Sequence, residues 1–279
     1  MKIAVSSDLH LDLNHTNVNQ FITQQASYLT EQKVDYYFFV GDAFNDFNQT
    51  RAYFTELQSR LPYTKSYYLA GNHDMLKNIS YEQLENFNDD LYFHNHYVDI
   101  PRTNWRIIGN NGWYDYSFST YEGRADEVAR WKHAYWVDRT ITQPMSDQRR
   151  MGVVLQEVKG ALTEARLAQK RVIFMTHFVP IKLALPQPII ESPHRQRMWE
   201  MTMAMMGSKH LGNLIAEFPE VKEVFYGHLH YAQSLITVGN VNYRNHAVGV
   251  WRKSNGQWRQ KSLLNQWMER LYIKELELF

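Results

Sequence analysis

A chain of 279 residues that is 44% hydrophobic can bury a sizeable core, in one large domain or two small ones. Its 30 basic and 29 acidic residues leave a net charge of +1, which lends no support to wholesale binding of long nucleic acid or of an anionic membrane surface. With no cysteine, disulfides, zinc–thiolate sites and thiol catalysis are excluded, so a transition metal has to be held by His, Asp, Asn or Glu, and 12 histidines are available.

The chain begins with a short strand pattern, Lys2-Ile3-Ala4-Val5, followed by Ser6-Ser7-Asp8-Leu9-His10-Leu11-Asp12. Polar residues arrive too soon for the apolar segment of a signal peptide, and no apolar run approaches the ~20 residues of a membrane span. A soluble cytoplasmic protein is the expectation. From Val18 to about Lys33, Phe21, Ile22, Tyr28 and Leu29 recur at helical spacing. Val34–Val40 is the clearest strand and stops at Gly41-Asp42-Ala43-Phe44-Asn45-Asp46. A helix over Gln49–Arg60, ended by Pro62, leads to a strand over Lys65–Ala70 and then to Gly71-Asn72-His73-Asp74. Strand, polar tip and helix in alternation is the pattern of a parallel sheet covered on both faces, an α/β fold.

Beyond Asp74 the pattern predicts a short helix over Ser80–Phe87 and strands over Leu91–Ile100 and Trp105–Gly109. Trp113, Tyr114, Tyr116, Phe118, Tyr121, Trp131, Tyr135 and Trp136 then crowd a stretch broken by Asn and Gly. A long helix fits Gln148–Gln169, and Arg171–Met175 is a strand ending in Thr176-His177-Phe178. Four prolines, from Pro180 to Pro193, make the next stretch read as irregular, up to a methionine cluster at Met198–Met206. A helix over Lys209–Glu217 precedes a strand over Val221–Tyr226, which ends in Gly227-His228-Leu229-His230. Leu235–Arg244 reads as a hairpin across Gly239-Asn240, and Leu263–Leu278 as a helix or a helix plus strand. There is no internal repeat and no low-complexity linker.

Five strand ends thus carry candidate ligands: Asp8 and His10; Asp42; Asn72 and His73; His177; His228 and His230. Side chains two apart on extended backbone share a face, so each i, i+2 pair can converge on one point. Nitrogen and oxygen donors without thiolate suit Mn²⁺, Fe or Zn²⁺ better than Ca²⁺. The set is too large for one tetrahedral site and suffices for two neighbouring ions bridged by a carboxylate.

These motifs, in this order, resemble the calcineurin-like metallophosphoesterase family, and Ser7-Asp8-Leu9-His10-Leu11 looks most like its bacterial members. The resemblance implies a four-layer αββα sandwich of two mixed sheets, with a dinuclear metal site at the strand ends. Carried over position by position, Asp8, His10 and His230 would hold one metal and Asn72, His177 and His228 the other, with Asp42 bridging. Two divalent transition metals are implied, Mn²⁺ first, with Fe or Zn²⁺ as alternatives. Metal-activated water would hydrolyse a small phosphate ester, a monoester or a diester, by in-line attack. His73 would serve the leaving group, with Asp74 as its partner. Where many phosphatases have Asp three residues after the bridging Asp, this chain has Asn45, which leaves open what supports His73 from that loop.

The whole chain, 1–279, is then expected to be a single domain with an insert or cap at about 111–207. Its aromatic stretch reads either as core or as a cap over the site, and its methionines as core filler or as a substrate wall. Arg124, Arg195 and Arg197 read as solvated, with a grip on a distal phosphate as the other reading. His15, His94, His96, His133, His194, His210 and His246 belong to no motif. The reading from another class is a catalytically inactive fold relative that binds a protein partner.

Overall fold

Strands this apolar on both faces have to be covered on both faces. The computed structural model, which describes residues 1–231, 233–251 and 258–278, does so by laying two sheets against each other. The first sheet holds β1 (Lys2–Ser6), β2 (Tyr36–Val40), β3 (Lys65–Leu69) and the last strand, β10 (Tyr272–Glu275), in the order β10-β1-β2-β3. Only β10 runs antiparallel. The second holds β4 (His96–Asp99), β5 (Trp105–Gly109), β6 (Arg171–Met175), β7 (Val221–Tyr226), β8 (Ile236–Val238) and β9 (Val241–Asn245), in the order β4-β5-β6-β7-β9-β8. Its middle is parallel and both edges are antiparallel.

The period of two decides which layer each side chain serves. In β2, Phe38 and Val40 join Ile3, Val5, Ile107, Ile173 and Phe225 in the core between the sheets. Tyr37 and Phe39 point the other way, into the core beneath the helices. There α1 (Val18–Glu31), α2 (Phe47–Ser59) and α8 (Leu263–Arg270) cover the first sheet, with Trp267 of α8 donating from Nε1 to Ser6 Oγ at 3.1 Å. On the far side α5 (Asp147–Leu167) packs on β6, with α7 (Lys209–Ala216) beside it. Helix, sheet, sheet, helix is the layered sandwich expected of the fold.

Three expectations need correction. The run Leu91–Ile100 is not one strand: Leu91 and Phe93 bond to the edge of β3 through Tyr68, and the chain then crosses to the second sheet as β4. Two helices were not expected, α4 (Ala125–Tyr135) and α6 (Pro193–Ala204). In α4 the first turn carries Asp126 and Glu127 and the last Lys132 and His133, charges that oppose the helix dipole and so stabilise it. Pro193 does not break α6 but begins it at the first helical position, where a missing N–H costs nothing, and Ser192 caps it. The remaining helix, α3 (Tyr81–Glu85), carries a Ser80–Gln83 capping box.

Candidate metal centre

Because β1, β2 and β3 are parallel, their carboxyl ends emerge together, and β6 and β7 bring theirs to the same place from the second sheet. The chain must turn sharply there. Asp8, His10, Asp42 and His228 all have left-handed backbone, with φ of 56°, 42°, 65° and 67°. Each costs roughly 1–2 kcal/mol for a residue with a Cβ, and cross-bonds between the tips hold them there. Asp8 N–H donates to Gly41 O at 2.9 Å, His10 N–H to Asp42 O at 3.1 Å, and Gly227 N–H to His177 O at 3.0 Å. Gly41 admits no side chain, since a Cβ would lie 2.5 Å from His177 Nδ1.

Two clusters result. Asp8, His10, Asp42 and His230 form the first, and Asp42, His177 and His228 the second, with ligand atoms of each within 4.8 Å of one another. In the first, His230 Nε2 lies 3.0 Å from His10 Nε2 and 3.3 Å from Asp8 Oδ1. In the second, Asn72 Oδ1 lies 3.2 Å from His177 Nε2 and 3.0 Å from His228 Nδ1. Asp42 Oδ2 belongs to both, 3.7 Å from His10 Nε2 and 3.3 Å from His177 Nε2. Donors held ~2.1 Å from one ion lie ~3–3.5 Å apart, so this spacing suits a coordination shell.

The hydrogen bonds argue the same way. His177 Nδ1–H donates to Val40 O at 2.8 Å, which turns its Nε2 toward the oxygens of Asp42 and Asn72. Asp42 Oδ2, Asp8 Oδ2 and His228 Nε2 are buried without a hydrogen-bond partner among the described residues. Of these, Asp42 Oδ2 faces ligand nitrogens of both clusters, and a buried carboxylate oxygen so placed calls for a positive charge. Electrostatics agree. Burial opposes charge on Asp42, yet His177 and His73 hold its carboxyl well below the usual range. Burial would also lower His177, but the charge of Asp42 beside it pushes it up to about 9, so a bound cation would take the place of its Nε2 proton. Burial and the neighbouring His230 hold His10 well below its usual value, and desolvation with His177 pushes His228 down to about 3. The donor set therefore fits divalent metal ions, held by neutral imidazoles and ionised carboxylates.

His73 stands at the rim. Its ring lies edge-on to His10, centroids 4.7 Å apart, and its backbone N–H donates to Asp42 Oδ1 at 2.9 Å. Its Nδ1 bonds Asn45 Oδ1 at 2.6 Å, and Asn45 N–H is anchored on Asp12 Oδ2 at 3.1 Å. Asp74 is not the partner of His73, which corrects that expectation. Its carboxylate turns inward and accepts from the N–H groups of Asp42, Ala43, Phe44 and Gly71 and from the Thr50 hydroxyl, at 2.5–3.2 Å. Asp74 shapes the Asp42 loop, and burial with the charge of Asp42 pushes its own carboxyl up to about 7.

Three buried side chains outside the motifs brace the tips. Asn111 takes a bond from Ala70 N–H on its Oδ1 at 2.9 Å and one from His177 N–H on its carbonyl at 3.1 Å, which ties the two sheets together. Asn245 Nδ2 holds the carbonyls of Gly227 and Leu229, both at 3.2 Å. Asp138 accepts from Asn72 Nδ2 at 2.7 Å. Single Asn or Asp residues in loops give no sequence signal, because turns use them freely.

A third group, Glu85, His94 and Glu157, also gathers within 4.8 Å. His94 Nδ1 accepts the Asn111 N–H at 3.1 Å, so Nε2 keeps the proton that it gives to Glu85 at 3.0 Å. That imidazole has no lone pair left for a cation. Trp113, Tyr114, Tyr116 and Phe118 are buried and form core, with Arg150 over the Trp113 ring, and Met201, Met203, Met205 and Met206 are buried too. Arg124 and Arg197 sit at the surface near Glu127.

The family model described as calcineurin-like phosphoesterase matches residues 1–232. No curated protein sequence matches the chain. Among solved structures, a phosphopantetheinyl hydrolase from Mycobacterium tuberculosis is similar at a TM-score of 0.64 and 18% identity, over 94% of each chain. The Thermus thermophilus protein TT1561 gives 0.51 and 12%, over 98% of this chain and 97% of that one. A dimetal phosphatase from Danio rerio gives 0.50 and 12%, over 87% and 86%.

Proposed function

Because the chain belongs to the calcineurin-like phosphoesterase family, we propose that it hydrolyses a small phosphate ester, monoester or diester, at a dinuclear site that holds Mn²⁺, Fe or Zn²⁺, Mn²⁺ first. The observation that carries this reading is Asp42 Oδ2, a single unpartnered oxygen shared by two His/Asp clusters. Asp8, His10 and His230 are the further ligands on one side, and Asn72, His177 and His228 on the other. When bound, the ions lower the pKa of water and clamp phosphoryl oxygens. The rest is work for the chain. Asp42 neutralises charge on both sides, and the cross-bonded tips keep ligands in place without rearrangement. His73 donates from Nδ1 to Asn45 Oδ1, so it is the imidazolium, with its second proton on Nε2, that would protonate the departing alkoxide. Of the segment at about 111–207, α5 and β6 are layers of the sandwich and His177 belongs to the site, so the part read as an insert is α4, the turn that follows it and α6.

The test is elemental analysis of purified protein, followed by a panel of phosphate mono- and diesters with added Mn²⁺. Two metal equivalents and turnover of one ester class are expected. A phosphopantetheine diester belongs in the panel because of the fold likeness to the mycobacterial hydrolase. Protein that takes up no metal even after reconstitution ends the enzymatic reading and leaves a binding module. Among the described residues no helix is long and apolar enough to cross a membrane.

A further inference from the structure

An asparagine ligand has two ends of almost the same shape, and only one of them can bind a cation. Its amide oxygen donates a lone pair, whereas the NH₂ end would turn protons toward the ion. Nothing within Asn72 itself decides which end faces the second cluster.

Asp138 decides it. It lies in the short turn Val137–Thr140, far along the chain from Asn72, and its side chain is fully buried. One oxygen takes the Asn72 Nδ2 hydrogen at 2.7 Å, and the other takes the Trp136 Nε1 hydrogen at 3.1 Å. With donors on both oxygens, Asp138 acts as an acceptor. A flipped Asn72 amide would set oxygen against oxygen in a buried space, which costs a lost bond and leaves both groups unsatisfied. We infer that Asp138 is a positioning residue: it fixes the Asn72 amide so that Oδ1 is presented between His177 and His228, and the insert thereby completes the second metal position.

This rests on the two-metal reading above, and its test separates the two. Mn²⁺ is titrated into metal-stripped full-length protein, with stepwise affinities from calorimetry and the mononuclear or coupled state from electron paramagnetic resonance. The parent takes two ions. Asp138→Ala keeps the first affinity and weakens the second by ~10–100-fold, the usual cost of losing an outer partner of a ligand. Asn72→Asp in the Asp138→Ala background restores the second ion, because a carboxylate offers an oxygen from either end and needs no orienting. Asp138→Asn also weakens the second ion and spares the first, since its one amide oxygen is claimed by the Trp136 N–H and its NH₂ end then turns the Asn72 amide around, and it serves if Asp138→Ala does not fold. The inference is overturned if Asp138→Ala binds both ions as the parent does. It is likewise overturned if both ions weaken together, if Asn72→Asp does not rescue, or if a folded Asp138→Asn binds both ions as the parent does. A parent that binds no metal at all overturns the two-metal reading itself.

Discussion

The two ligand clusters share an oxygen and little else. The first is made from the tips of β1 and β2 and the loop after β7, and its members face one another directly. His230 Nε2 lies 3.0 Å from His10 Nε2 and 3.3 Å from Asp8 Oδ1, with one backbone bond across, His228 N–H to Asp8 Oδ1 at 3.1 Å. The second reaches outward for support, to Asn111 through the backbone of His177 and to Asp138 through the side chain of Asn72. The first position is held by bonds among the strand tips themselves, with Asp74 beneath Asp42. A position fixed by an amide needs a further partner, and that partner came from elsewhere in the chain.

Asp42→Asn tests what the clusters have in common. Removing the shared anion is expected to empty both positions and to cut turnover by more than ~10²-fold, beyond what an outer partner usually costs. Elemental analysis and kcat/KM on the best panel ester measure it, and two retained ions would show that Asp42 is not shared. Single changes then separate the clusters. His230→Ala is expected to release one ion and His177→Ala the other, each leaving about one equivalent on the protein.

His73→Ala asks whether the rim histidine belongs to the shell or to the chemistry. Both ions should stay. On esters with poor leaving groups kcat/KM should fall by ~10²–10⁴-fold, while nitrophenyl esters, whose oxygen departs without a proton, should lose little. A constant loss across graded leaving groups would rule out that role.

Asp74→Asn probes the loop beneath Asp42. An amide cannot accept all of the bonds the carboxylate takes, so buried donors are left unpaired, and the expected destabilisation is about 1–3 kcal/mol by chemical denaturation. Loss of the same size in His230→Ala would mean that the clusters, not the loop, hold the tips together.

The last effect, confined to acid pH, comes from a histidine outside both clusters. His246 gives Nδ1–H to Arg270 O at 2.9 Å, and burial pushes it down to about 4, opposite to His177 beside its carboxylate. The unfolded chain then binds the proton more readily than the fold between about pH 6.5 and pH 4. Stability present above pH 6.5 is lost as pH falls through that window, by about 2 kcal/mol at pH 5. His246→Gln should flatten that part of the pH dependence of the denaturation midpoint.

Much of this was legible in the residues. Apolar runs that stop at Asp8, Gly41, Gly71, His177 and Gly227 already mark five strand ends, because a buried strand carries few polar residues before it leaves the sheet. Their order along the chain carried the resemblance to the family, and the resemblance implied the layers. The bracing was not legible. Asn111, Asp138 and Asn245 look like ordinary turn residues, and only packing turns them toward Ala70, Asn72 and Gly227. Nor could spacing tell which neighbour His73 would choose. Asp74 is adjacent, but the turn after Asn72 carries its carboxylate inward to the amides of the Asp42 loop, and Asn45 arrives from the other side. Covalent order limits which atoms can be near one another over a few residues. Which distant acceptor meets which distant donor is decided when the two sheets close, since each buried polar group must find its partner in the space that remains.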